Sequence, residues 1–88
     1  MYTFRWIDWN VEKVERHGVA PEEAEYVVNH ARRPFPEQRG EKFFVAGPTL
    51  AGRWLEVIYL QDDAYTMFVI HARPLTDSER KRYRKRGR

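Results

Sequence analysis

The stretch GRWLEVIYLQDDAYTMFVIHAR (residues 52–73) decides how this chain folds. Two runs of apolar and aromatic residues flank Asp62-Asp63, which is the pattern of a β-hairpin. In the first run Leu55, Val57 and Tyr59 share one parity and predict a buried face. Phe68, Ile70 and Ala72 are expected opposite them. The other face then carries Trp54, Glu56 and Ile58 beside Met67, Val69, His71 and Arg73. With a two-residue turn at Asp62-Asp63, Trp54 pairs with His71 and Glu56 with Val69. A slip of one residue would move each partner to the opposite face, so this register is the critical expectation.

Working outward, strands are predicted at about residues 42–49, 53–60 and 65–73, joined near Ala51-Gly52 and Asp62-Asp63 as an antiparallel meander. At the start of the chain, Tyr2, Phe4 and Trp6 alternate with Thr3 and Arg5 and predict a short aromatic strand. Asn10 reads as the N-cap of a first helix, with Val11, Val14 and His17 at helical spacing and Gly18 ending it. Pro21 suits the first turn of a second helix, where Glu22, Glu23 and Glu25 complement the dipole. Residues 31–40, with Arg32, Arg33, Pro34 and Pro36, predict a loop. Thr76 or Asp77 caps a last helix. The fold class expected is a small α+β domain, a strand-helix-helix-strand-strand-strand-helix order with helices on one face of an antiparallel sheet.

The chain has 88 residues and a formal net charge of +3, yet residues 80–88 hold seven Lys or Arg and no acid. Residues 1–79, with nine basic residues against thirteen acidic ones, carry −4. We therefore expect one domain over 1–79 and a basic helix end or tail over 80–88, suited to nucleic acid or an acidic partner. With no cysteine, disulfides and thiolate chemistry are excluded. No leader-like start or membrane-length apolar run is read, so a cytoplasmic protein without membrane contact is expected.

His71 and Arg73 raise the chemical question, because a packed core needs neither. RNA cleavage without a metal needs a base for the 2′-OH, a cation for the phosphorane and an acid for the leaving oxygen. His71 can be base or acid, Glu56 is a second base, Arg73 can grip phosphate, and Trp54 can stack a base. The plain alternative makes His71 a surface strand residue and pairs Arg73 with Glu56 or Asp77. His17 fits a helix junction and His30 a helix end. Positions 17, 30 and 71 lack zinc spacing, so no metal or other cofactor is expected.

Four blocks together resemble the BrnT-type toxins. WNVEKVERHGVAPEEAEYVV (9–28) is similar to their His-Gly-Val and Glu-Glu-Ala start, and Gly52-Arg53-Trp54-Leu55 to a Gly-Arg-Leu-Leu strand start. Ile70-His71-Ala72-Arg73 resembles an Ile-Ser-Ala-Arg strand end, and Glu79-Arg80 through Tyr83 a closing Glu-Arg-x-x-Tyr helix. The family more often has Ser at His71, a basic residue at Pro74 and an apolar one at Glu56. The resemblance implies a RelE-like fold and a metal-independent ribonuclease that arrests translation. It also implies a BrnA-type antitoxin with a ribbon-helix-helix domain as partner. In that reading His71 is the acid–base group, Arg53 and Arg73 hold the phosphate, and Tyr83 and Arg80 close the site. His17 matches the family's histidine as a structural or site residue, while Lys81 and Arg84 add RNA contacts. A homodimer is compatible with so small a domain. The alternative reading is a non-catalytic module that binds nucleic acid or an acidic protein through the basic segment.

Overall fold

A computed structural model describes residues 2–86, the side chain of Arg86 excepted, so Gly87 and Arg88 of the expected tail lie outside the described residues. The elements run β1 (Thr3–Phe4), α1 (Asp8–Arg16), α2 (Pro21–Asn29), β2 (Glu37–Arg39), β3 (Lys42–Pro48), β4 (Trp54–Gln61), β5 (Thr66–Pro74) and α3 (Asp77–Arg86). The strands form one mixed five-stranded sheet in the order β1-β5-β4-β3-β2. The fold is α+β, with two corrections to the expected order. Residues 37–39 are a strand rather than loop, turned back onto β3 at Gly40, whose φ of 61° a side chain would strain. β1 pairs with β5 in parallel, so the sheet is not wholly antiparallel.

The core lies between one face of the sheet and helices α1 and α2. Val14, Val19, Ala24, Val27 and Val28 pack there against Val45, Leu55, Val57, Tyr59, Met67, Val69 and Ala72. Leu55, Val57 and Tyr59 face inward as the alternation predicts. Their partners differ from the expected set. The Asp62 amide bonds the Thr66 carbonyl, so the turn encloses residues 63–65, three instead of two. Asp63 organises it, its Oδ1 accepting from the Tyr65 and Thr66 amides at 2.9 and 2.8 Å. An odd change in turn length flips the incoming strand, so Met67 and Val69 are buried and Phe68 is not. A bulge then lets Ile58 pair with His71 but Tyr59 with Val69, leaving Ile70 extra. That residue flips the strand back. Ala72 turns inward, and His71 and Arg73 return to the open face.

Asn10 is not the N-cap of α1, which begins two residues earlier at Asp8. Its side chain instead plugs the edge of β5. The parallel ladder runs from the Thr3 amide to the Tyr65 carbonyl and from the Arg5 amide to the Met67 carbonyl. The next rung would join Ile7 to Val69. Asn10 stands in that gap: Oδ1 accepts from the Ile7 amide at 2.7 Å, and Nδ2 donates to the Arg5 and Val69 carbonyls at 3.1 and 3.0 Å. The residue is fully buried and both amide hydrogens are used.

α2 starts at Pro21 as expected, and the Glu23 carboxylate accepts from the Ala20 amide at 2.9 Å. Gly18, at φ 76°, closes α1 in the left-handed region, where a side chain would be strained. α3 does not join α1 and α2 on their face. It is capped by Thr76 and Glu79, each side chain bonding the other's backbone amide, and it is tied to Arg73 on the open side. The expectation that all helices share one face therefore holds for two of the three. No described helix is long and apolar enough to cross a membrane.

Candidate functional site

On the open face, β4 and β5 bring Glu56 directly opposite Arg73 and Ile58 opposite His71. His71 Nε2 lies 3.6 Å from Glu56 Oε2, and Arg73 Nε donates to the same oxygen at 3.2 Å. Arg73 Nη1 and Nη2 donate to the two oxygens of Glu79 on α3, at 2.9 and 2.6 Å. This fork-to-fork geometry is the strong form of an arginine–carboxylate pair.

α1 walls the other side. Trp9, Lys13 and His17 recur every four residues and so form one stripe. Trp9 stacks on Phe68 with centroids 6.0 Å apart, Lys13 Nζ sits 4.8 Å over the Trp9 ring, and His17 meets His71 edge-on at 5.7 Å. The result is two imidazoles, a carboxylate and a lysine beside an arginine already held by two acids.

Burial pushes the His71 imidazole below its ordinary value; Glu56 opposes this, while His17, Arg73 and Lys13 add to it. A neutral ring able to take a proton follows at neutral pH. The Arg73 guanidinium holds the Glu79 carboxyl down to about 2, with help from the Thr76 amide. Glu79 in turn raises Arg73. Both remain charged across the physiological range.

The expected site residues do not all come together. His71, Glu56, Arg73 and His17 come together. Arg53 does not join them: its Nη2 donates to the Gly18 carbonyl at 2.8 Å and to Glu23 at 2.9 Å, pinning the start of β4 to the α1–α2 turn. Trp54, Tyr83 and Arg84 line a separate cavity of about 600 Å³ together with Tyr26, His30 and the loop 31–35. The expected Trp54–His71 pairing is absent because the longer turn and the bulge move His71 to Ile58. Arg80 is half-buried, 3.9 Å from Asp77, with an Nε that has no hydrogen-bond partner among the described residues. Lys81 is exposed.

Two residues of the cluster escaped the reading of the sequence. Lys13 was legible as the middle of the Trp9-Lys13-His17 stripe, given that α1 would flank the open face. Glu79 was legible only as half of the Thr76-x-x-Glu79 capping box; its second bond, to Arg73, depends on where α3 lies. Among the described residues, no three His, Asp or Glu side chains converge as metal ligands. No protein-family model, curated protein or solved structure matches the chain.

Proposed function

We propose that this protein is a metal-independent endoribonuclease of the BrnT type, with a RelE-like fold, acting as the toxin of a type II toxin–antitoxin pair. The observation that carries the reading is the His17–His71 pair, 5.7 Å apart on the open sheet face with Glu56 beside it. Two imidazoles suit a phosphodiester that must lose one proton and gain another. Neutral His71, backed by Glu56, takes the 2′-OH proton. The 2′-oxygen then bonds to phosphorus, the bond to the 5′-oxygen breaks, and His17, as the acid of the pair, gives that oxygen its proton. The products are a 2′,3′-cyclic phosphate and a 5′-hydroxyl.

Lys13 is the cation positioned for the phosphorane. Arg73 orients Glu56 in the conformation described, and it reaches phosphate only when Glu79 gives way. The partner expected from the same resemblance is a BrnA-like ribbon-helix-helix antitoxin, which would cover the open face.

The test is cleavage of mixed RNA in EDTA by wild type, His71→Ala and His17→Ala, with folding checked by circular dichroism. Wild-type cleavage lost in both variants supports the mechanism. An unchanged rate in His71→Ala removes the imidazole pair from the chemistry. The double occupation of Arg73 by Glu56 and Glu79 favours the second reading, a module that holds RNA without cutting it. Salt-dependent RNA binding by folded wild type, without cleavage, would select that reading.

A further inference from the structure

The cavity between α2, β3 and α3 has no role in the cluster just described, since neither His71, Glu56 nor Arg73 lines it. Its volume of about 600 Å³ is of the size that holds small organic ligands. Three guanidiniums, Arg32, Arg33 and Arg84, border it, and no acidic side chain does. None of the three makes an ion pair among the described residues, whereas Arg5, Arg53 and Arg73 are each held by a carboxylate.

Aromatic rings supply the rest of the wall. Tyr26 and His30 stack at 3.9 Å, Phe35 and Tyr83 meet at 5.6 Å, and Trp54 borders the same space. His30 Nδ1 lies 2.8 Å from the Tyr26 carbonyl, which fixes Nδ1 as a donor and leaves Nε2 for a ligand. Aromatic rings beside guanidiniums that make no ion pair among the described residues match one class of ligand better than others: an aromatic base carrying a phosphate. A fatty chain would make no use of the guanidiniums, and a simple anion would leave the rings unused.

We propose that this cavity binds a nucleotide, its base stacked against the aromatic wall and its phosphate held by Arg33 and Arg84. Trp54 and Glu56 lie on the same face of β4 two positions apart, so an RNA strand running along β4 passes from the cavity to the imidazole pair. The assignment of that ligand to RNA rests on the ribonuclease reading. A free nucleotide is the other source of the same chemistry.

The experiment uses the full chain and two probes, a 2′-O-methyl oligoribonucleotide, which cannot be cleaved, and adenosine 5′-monophosphate. Titrations at low salt follow wild type, His71→Ala, Trp54→Ala and the double variant Arg33→Glu/Arg84→Glu, whose two sites are exposed. Binding is expected to weaken about tenfold or more in both cavity variants, and His71→Ala is followed for cleavage of unmodified RNA. Tighter binding of the oligonucleotide marks RNA as the source; tighter binding of the monophosphate marks a free nucleotide. Equal binding by wild type and the double variant, or no binding of either probe by folded wild type, overturns the proposal. Cleavage of unmodified RNA is read in parallel. Cavity binding without cleavage sinks the ribonuclease reading alone, and cleavage with binding indifferent to Arg33 and Arg84 sinks the cavity alone.

Discussion

Asn10 and Arg73 each tie a helix to β5, one at the strand's covered edge and the other on its open face. Asn10 is fully buried, has every hydrogen bonded, and replaces a backbone rung that β1 is too short to supply. Arg73 keeps about a third of its side chain exposed and shares its guanidinium between Glu56 and Glu79. The first junction has no alternative partner within reach, because water is excluded from it. The second consists of charged groups that water or a phosphate can compete for. A junction of the first kind fixes an element; one of the second kind holds an element in a way that a ligand can undo.

The sharpest way to break this contrast is Asn10→Ala. It strands the Ile7 amide and the Val69 carbonyl in a dry edge, and should cost about 2–4 kcal/mol, roughly 10–25 °C in melting temperature. A loss within the error of a urea titration would mean that water enters the edge and that the two junctions are alike.

Arg73→Met comes next, at about 1–2 kcal/mol, because it leaves Glu56 and Glu79 facing each other without a counter-ion. Pairing it with Glu79→Gln in a double-mutant cycle separates the two partners. An additive cycle would show that the α3 tie contributes nothing to the fold.

Acid should act on the exposed junction. The folded-state value of Glu79 lies near 2, below the ordinary ~4.3 of a glutamate. Its contribution is therefore complete above that ordinary value and is lost as pH falls from there through about 2. His71, lowered by burial within the group formed by Glu56, Arg73, His17 and Lys13, acts in the same direction just below pH 6.5. Melting temperatures from pH 7 downward should fall in both windows. Glu79→Gln should flatten the lower one and His71→Ala the upper, and equal slopes in wild type and variants would break the assignment.

The smallest effect expected is for Arg53→Ala. Its pair with Glu23 is two-fifths exposed on the arginine side, so the change should stay under about 1 kcal/mol. A larger loss by chemical denaturation would make the bond to the Gly18 carbonyl the main hold on the α1–α2 turn.

Much of this architecture is legible in the residues alone. Apolar and aromatic runs bounded by turn residues mark β3, β4 and β5, and Pro21 and Gly18 punctuate the two helices, because these signals are local. β2 was not legible: Glu37-Gln38-Arg39 has no apolar pattern and becomes a strand only by pairing with β3 across Gly40. Nor was the parallel pairing of β1, since Tyr2 to Trp6 look the same whichever strand they join. For the candidate site, the grouping of Glu56, His71 and Arg73 on one face agrees with the hairpin reading, but by a different route. The turn is one residue longer than the simplest hairpin and Ile70 bulges, so two odd shifts cancel.

The sequence by itself determined the helices, the three long strands and the inward face of β4, all of which follow from neighbours within a few positions. Tertiary structure alone decided which charges are spoken for. Arg53 is held by the α1–α2 turn and α2, Arg73 by Glu56 and α3, and Arg32, Arg33 and Arg84 are left beside an aromatic cavity. A guanidinium is the same in every window of sequence. Whether it binds a carboxylate of its own chain or remains open to a phosphate depends on which distant element folds against it.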